Sequence, residues 1–419
     1  WKELAPKPYD KNEVSPYTKA RIILMNGTEY EAVWHGHQTQ RMCGDNDVRR
    51  ELAFIRKSEQ QQQKMIAALK PADETQLETT IAYEQLAVDL TAFMAQRSKD
   101  KHVKAALDFA LLEDFDHLYR YAELLENDSD IHAEKLVGRY TEIMPGRPTI
   151  AHHRHPMDEV KQPLDGKTAD FATLLDTHII TAAEQQTMNY YMNLGAFYKN
   201  DYGRKLYTEI GMVEEQHVTQ YGSLIPVNST PSESCLMHEY VECYLYYSMY
   251  EDESDPHVKK IWERCLDQEI IHLHKAAELL RKTDKKDWRE VIPNGDFPEL
   301  VKLGSNIEYV RKVLANRKQH RRQGKLRQHK QTSEIGRLLF LPAQSQHVQR
   351  KQCGKPQNHS GLYEQARQRL PFRNGRQPRQ RPARQADRQH QSRQTADGVK
   401  KRNRYRFRFP LFFSKRLSM

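Results

Sequence analysis

Residues 261–280 read IWERCLDQEIIHLHKAAELL. The apolar positions Ile261, Cys265, Leu266, Leu273, Ala276, Leu279 and Leu280 recur at helical spacing. On that same stripe, where a core helix would carry Leu, stand Glu269 and His272. A carboxylate and an imidazole three residues apart on a helix face the same way. A buried charge without a partner is costly, so the pair calls for a counter-charge or a metal ion.

The pattern returns twice upstream. Residues 109–125 hold Asp114 and His117 in the same frame, followed by LYRYAELL. Residues 210–225 hold Glu214 and His217, followed by VTQYGSLI, as LHKAAELL follows His272. An Asp suited to cap a helix precedes each block, at Asp100, Asp201 and Asp255. An earlier helical stretch puts one acid on its apolar stripe each time, at Glu84, Glu184 and Glu239. Each of these stands 30 residues before the acid of its acid-x-x-His. Three copies in one register make an internal repeat.

Working outward, residues 73–97 and 101–126 form the first expected helical hairpin, 169–199 and 201–224 the second, 232–250 and 255–282 the third. Residues 47–69 read as a further helix closed by Pro71, and 307–315 as a short final one. Residues 1–20 read as an extended arm, and RIILM-Asn26-Gly27-TEYEAVW as a β-hairpin with an Asn-Gly turn. Its neighbours His35 and His37, and the triplet His152, His153 and His155 in the long connection 127–168, read as solvated loop histidines.

The net charge of +10 hides two chemical objects. Of 66 Lys/Arg and 56 Asp/Glu, residues 318–419 hold 27 and 4, a net +23. That leaves 39 and 52 for residues 1–317, a net −13. The boundaries expected are an arm and hairpin over 1–46, a helical domain over 47–317 and a basic low-complexity tail over 318–419. The tail cannot bury a core, and reads as disordered or as a translated wrong frame. Its aromatic-studded end, RYRFRFPLFF, offers the one route to nucleic acid. No apolar run is long enough to span a bilayer. The start carries neither Met nor a charged-then-apolar leader, and reads as a fragment or processed end. The five cysteines lack CxxC spacing, which argues against zinc ribbons and a disulfide framework and suits a reducing, cytoplasmic setting.

A four-helix bundle holds two metal ions when two helices give one Glu each and two give Glu-x-x-His. With Glu84, Asp114, His117, Glu184, Glu214, His217, Glu239, Glu269 and His272 in this pattern, the chain resembles the ferritin-like di-iron carboxylate superfamily, rubrerythrins included, over residues 73–282. The resemblance implies an all-α bundle, a two-iron (or two-manganese) centre, and oxidase or peroxidase chemistry on O2 or H2O2 with an external electron donor. It also leaves open a homo-oligomer. The nearby Tyr83, Tyr121, Tyr191, Tyr221, Tyr240 and Tyr246 are core or interface candidates.

Two departures stand out. The rubrerythrin Cys-ligated iron centre has no counterpart here. The family also builds a site from two hairpins, and three are visible. The extra one is either auxiliary or completes a site with another chain. Hairpins two and three carry the full Glu set and are expected to form one bundle. Asp114 marks hairpin one as the odd member, and Glu113 could replace it only by helix rotation. Against that pairing, the linker between two and three is short for a crossover, whereas the one before hairpin two is ample. The alternatives to catalysis are iron storage or metal buffering by an assembly, and a metal-free helical protein.

Overall fold

The computed structural model describes residues 4–145, 156–293 and 295–316, which lie in one compact unit. The histidine triplet at 152–155 and the basic segment beyond 317 lie outside the described residues. The described residues contain helices and no strands. Eight long helices make four hairpins: α1 (Pro16–Met42) with α2 (Asn46–Ala67), α3 (Gln76–Arg97) with α4 (Lys101–Ser129), α7 (Phe171–Phe197) with α8 (Asp201–Gly222), and α9 (Pro231–Asp252) with α10 (Pro256–Thr283). The short helices are α5 (Ala133–Leu136), α6 (Pro156–Glu159) and α11 (Ile307–Ala315). None of these helices is long and apolar enough to cross a membrane.

The expected β-hairpin is instead the middle of α1. Two features misdirect the reading. The run Ile22, Ile23, Leu24, Met25 is buried on every side, so it lacks the one-sided stripe that marks a helix. Gly27 serves close approach rather than a turn. A Cβ there would meet the Gln186 side chain of α7 at 2.8 Å. Gln186 also accepts from Asn26 Nδ2 at 2.5 Å and donates to the Ile23 carbonyl at 2.9 Å. An Asn-Gly pair inside a helix costs about 1 kcal/mol or a little more. Each of Leu24 and Met25, buried completely, returns roughly 1.5–3 kcal/mol, so tertiary packing wins.

All four hairpins share one geometry. Three residues join the helices, and the second helix opens on an Asx cap: Asp45, Asp100, Asn200 or Asp255. Asn200, which takes the Gly203 N–H, is the cap in the second expected hairpin, and Asp201 is the first helical residue. Each cap contributes about 1 kcal/mol.

The hairpins pair in a nested order. α3–α4 packs on α7–α8, making the bundle inner in chain order. α1–α2 packs on α9–α10, the outer bundle. Hairpins two and three of the sequence reading therefore belong to different bundles, and a fourth hairpin, α1–α2, completes the second. The long segment between α4 and α7 supplies the crossover of the inner bundle. The eight-residue link between α8 and α9 only steps from one bundle to the next. α1 packs on both α3 and α7, which is why its residues 17–25 are buried all round. Arg97 joins the bundles: it pairs with Asp176 of α7 and donates to Tyr244 Oη of α9 at 3.1 Å. Arg21 of α1 holds Asp252 at 2.9 Å and Glu253 at 3.3 Å, at the α9–α10 turn. The closing segment crosses both bundles, accepting from Tyr244 at the Glu299 carbonyl (2.6 Å) and donating from Tyr309 to Asp108 on α4 (2.5 Å).

Candidate metal centres

The 30-residue spacing has a simple cause. In every hairpin the Glu lies 13 residues before its helix ends (29 to 42, 84 to 97, 184 to 197, 239 to 252). The second acid lies 13 residues after the next helix starts (46 to 59, 101 to 114, 201 to 214, 256 to 269). At 1.5 Å per residue both stand about 20 Å from the turn, so they meet at one height. Two hairpins packed together place four such acids at a common level.

In the inner bundle this level holds Glu84, Asp114, His117, Glu184, Glu214 and His217, none more than 2 % exposed. His117 Nδ1 lies 2.9 Å from Glu214 Oε1. His217 Nδ1 lies 3.0 Å from Glu214 Oε2, 3.4 Å from Asp114 and 3.8 Å from Glu184. Two ligands about 2.1 Å from one ion and at right angles to each other stand about 3 Å apart, so these separations suit a common cation. Donor atoms of Asp114, Glu184, Glu214 and His217 lie within 4.8 Å of one another, and so do those of Glu84, His117 and Glu214. Glu214 belongs to both groups. Glu84 Oε2, Asp114 Oδ1 and Glu184 Oε1 are buried without a hydrogen-bond partner among the described residues.

The electrostatics of the site suit a cation. Burial, then the neighbouring Glu214, pushes the Glu84 carboxyl well above the usual range, and raises Glu184 to about 7. Burial and Glu184 do the same to Asp114. Burial drives His117 well below its ordinary value. It would also lower His217, but bonds to Glu113, Glu184 and Glu214 carry that ring well above it.

Glu113 was expected to take the place of Asp114 only by helix rotation. Asp114 keeps that place, and Glu113 supports the site from beside it. Fully buried, it takes His217 Nε2 at 2.7 Å, leaving Nδ1 to face the other acids. A carboxylate on the far nitrogen of an imidazole is the usual way a metal-ligating His is oriented. Tyr191 donates to Glu84 Oε1 at 2.5 Å.

The outer centre contains Glu239, Glu269 and His272, as the spacing predicts, with Glu29, Glu59, Gln62 and Glu242, which the sequence reading missed. Donor atoms of Glu59, Glu239, Glu269 and His272 lie within 4.8 Å of one another. His272 Nδ1 is 3.0 Å from Glu269, 3.9 Å from Glu239 and 4.0 Å from Glu59. Gln62 occupies the place of the second His and donates to Glu269 Oε1 at 2.5 Å. Tyr246 donates to Glu29, as Tyr191 does to Glu84. Burial and Glu269 raise Glu59 to about 7 and carry Glu29 and Glu242 well above the usual range. Both Glu242 oxygens are buried without a hydrogen-bond partner among the described residues, and Oε2 lies 3.7 Å from His238 Nε2. The missed signal was legible: Glu29 and Glu59 also stand 30 apart, with Glu59-x-x-Gln62 where the other copies have His.

The nine expected ligands thus divide six and three between two centres. Glu214 and His217 do not share a point with Glu269 and His272, and no centre needs a second chain to complete its four helices. His35, expected in a solvated loop, lies on α1 and stacks on His238, with ring centroids 4.7 Å apart. The architecture is compatible with a ferritin-like fold, and its buried carboxylate–imidazole groups are close enough to bind metal. No protein-family model matches the chain, and no curated protein or solved structure does either.

Proposed function

We propose that the chain is a ferritin-like metalloprotein. On this reading it holds iron or manganese in two buried carboxylate–imidazole centres and carries out oxidase or peroxidase chemistry on O2 or H2O2, with electrons from an external donor. The observation that carries the reading is Glu214, whose two oxygens face His117 and His217 on opposite sides of one carboxylate. A carboxylate placed between two donor groups is what neutralises two cations held close together.

Bound metal would supply electron transfer to the oxidant and a Lewis-acid grip on its oxygen atoms. The chain's own residues do the rest. Glu84 and His117 would hold one ion, Asp114, Glu184 and His217 the other, with Glu214 between. Glu113 keeps the His217 proton on Nε2, and Tyr191 keeps Glu84 turned inward through its Oε1. Complete burial excludes bulk water and strengthens every charge interaction in the site.

Anaerobic loading with Fe(II), followed by metal analysis, should give about two ions at the inner centre. Admission of O2 should then consume oxygen as Fe(II) disappears. Metal content near zero after loading would sink the reading. A metal-free helical protein would behave differently: Glu214→Gln and Glu269→Gln would leave stability unchanged or higher, and metal would not raise the Tm.

A further inference from the structure

A groove of about 200 Å³ opens between α1, α3 and α7, with Asn26 and Tyr30 on one side, Tyr83 on the second and Asn189, Tyr190 and Asn193 on the third. No lining side chain is charged, in a chain of which 29 % is. Amides and tyrosines without a counter-charge suit a neutral, polar, planar molecule. The volume exceeds the roughly 150 Å³ that holds a benzene ring, so one substituted ring fits.

The amides set where its polar groups go. Asn189 and Asn193 lie one helical turn apart, and each Nδ2 donates at 2.7 Å to the α7 carbonyl four residues back. That leaves Oδ1 of each as an acceptor. Side chains at this spacing stand about 5–6 Å apart, which matches the two hydroxyls across a para-substituted ring.

The back of the groove reaches the inner centre. Tyr83 and Tyr190 stack with ring centroids 4.4 Å apart, and Tyr191 lies 5.7 Å from Tyr190 and 6.2 Å from Tyr83. Tyr191 donates to Glu84 Oε1 at 2.5 Å. Rings in mutual contact thus join half-buried Tyr190 to a carboxylate of the inner centre. The outer bundle has no such opening at the matching positions. There Tyr83 is answered by Thr28, and Asn189, Tyr190 and Asn193 by Tyr244, Leu245 and Ser248, all of them buried.

We propose that this groove docks the external electron donor, a neutral single-ring hydroquinone, for the inner centre. The hydroquinone breaks both O–H bonds, gives up two electrons and two protons, and leaves as quinone. H2O2 takes up both electrons and both protons, its O–O bond breaks, and two waters form. The donor role rests on the reading that the inner centre binds a redox metal; occupancy of the groove does not.

Hydroquinone itself is the probe. Titrated anaerobically into the unloaded full chain and followed by ligand NMR, it should bind saturably. The double variant Asn189→Leu, Asn193→Leu should weaken binding about tenfold, as the loss of two acceptors predicts. Asn193 is exposed, so the single variant Asn193→Leu, with a smaller loss, guards against a folding defect, and thermal melts check both. Iron-loaded, peroxide-oxidised protein is then reduced by subsaturating hydroquinone without oxygen. Fe(II) should appear about tenfold more slowly in the double variant. No binding to the unloaded chain overturns the site. Displacement of hydroquinone by glucose, which has hydroxyls and no aromatic face, overturns the aromatic class. Binding weakened without any change in the rate of reduction overturns the donor role. Failure to load iron beside intact hydroquinone binding would defeat the proposed function and the donor role together, while leaving the groove site standing.

Discussion

The inner and outer bundles follow one plan, position by position. Glu84 answers to Glu29, Glu184 to Glu239, Glu214 to Glu269, His217 to His272 and Tyr191 to Tyr246, each tyrosine seven residues after a Glu. Besides Ser58 in the place of Glu113, three differences change the donor set. The outer centre has Glu59 for Asp114, Gln62 for His117, and Glu242 where the inner bundle has Thr187. The first change only lengthens a carboxylate. The other two remove an imidazole and add an acid. In the inner centre, Glu214 Oε1 faces the His117 imidazole at Nδ1. In the outer centre, the equivalent oxygen accepts from an amide that is already committed to it. The inner donors fall into two overlapping groups, whereas the outer donors make one group of four. Identical helix geometry thus carries two overlapping donor groups in one bundle and a single group, with one imidazole fewer, in the other.

The largest expected effect is common to both bundles. Glu184 and Glu59 are raised to about 7 in the folded apoprotein, against roughly 4.5 in an unfolded chain. The native state therefore holds protons that the unfolded state has lost. Apoprotein stability is full below about pH 4.5 and falls as pH rises through 7, by about 3 kcal/mol for each carboxyl. Metal displaces those protons, so loaded protein should melt higher at pH 8, and its advantage should shrink toward pH 5. Urea melts across this range check it; an apoprotein that gains stability from pH 5 to 8 would contradict the assignment.

Glu214→Ala removes the carboxylate common to both inner groups. Inner-centre affinity should fall by more than about 100-fold, with the outer centre unchanged. Isothermal titration with Co(II) separates the two. The exchange pair Gln62→His and His117→Gln tests the asymmetry directly. The first should let the outer centre take a second ion with a gain of about tenfold or more, and the second should cost the inner centre as much. If Gln62→His changes neither stoichiometry nor affinity, the comparison between the bundles breaks. Glu113→Gln keeps every inner ligand but weakens the orientation of His217, and should lower inner affinity about tenfold. The smallest effects are those of Tyr191→Phe and Tyr246→Phe. Each leaves a buried Glu oxygen without its donor, at a cost of about 1–3 kcal/mol in apoprotein stability, and the two values should match.

Most of the helical architecture was legible because it repeats. Asx caps, helical stripes and the 30-residue spacing place α3, α4 and α7 to α10 within a few residues, and α11 at its observed bounds. The second helix of the first hairpin was expected over 47–69 and lies at Asn46–Ala67, but α1 was lost for two local reasons. α1 is buried by both bundles, so its apolar run resembles a strand, and Asn26-Gly27 is a turn signal used here for close packing. Gln62 then hid the fourth copy of the motif. Glu242 left no periodic trace, because it lies three residues from Glu239 in a position the other copies fill with small residues.

Sequence alone determined which side chains stand at one height above each turn, since equal helix arms around a three-residue connection fix that level. It could not decide which hairpin faces which. Any two hairpins with this register present equivalent acids, so the ligand pattern is silent on partners. The linker lengths argued against joining hairpins two and three, but only the tertiary structure decided it, by supplying α1–α2 as the partner of α9–α10.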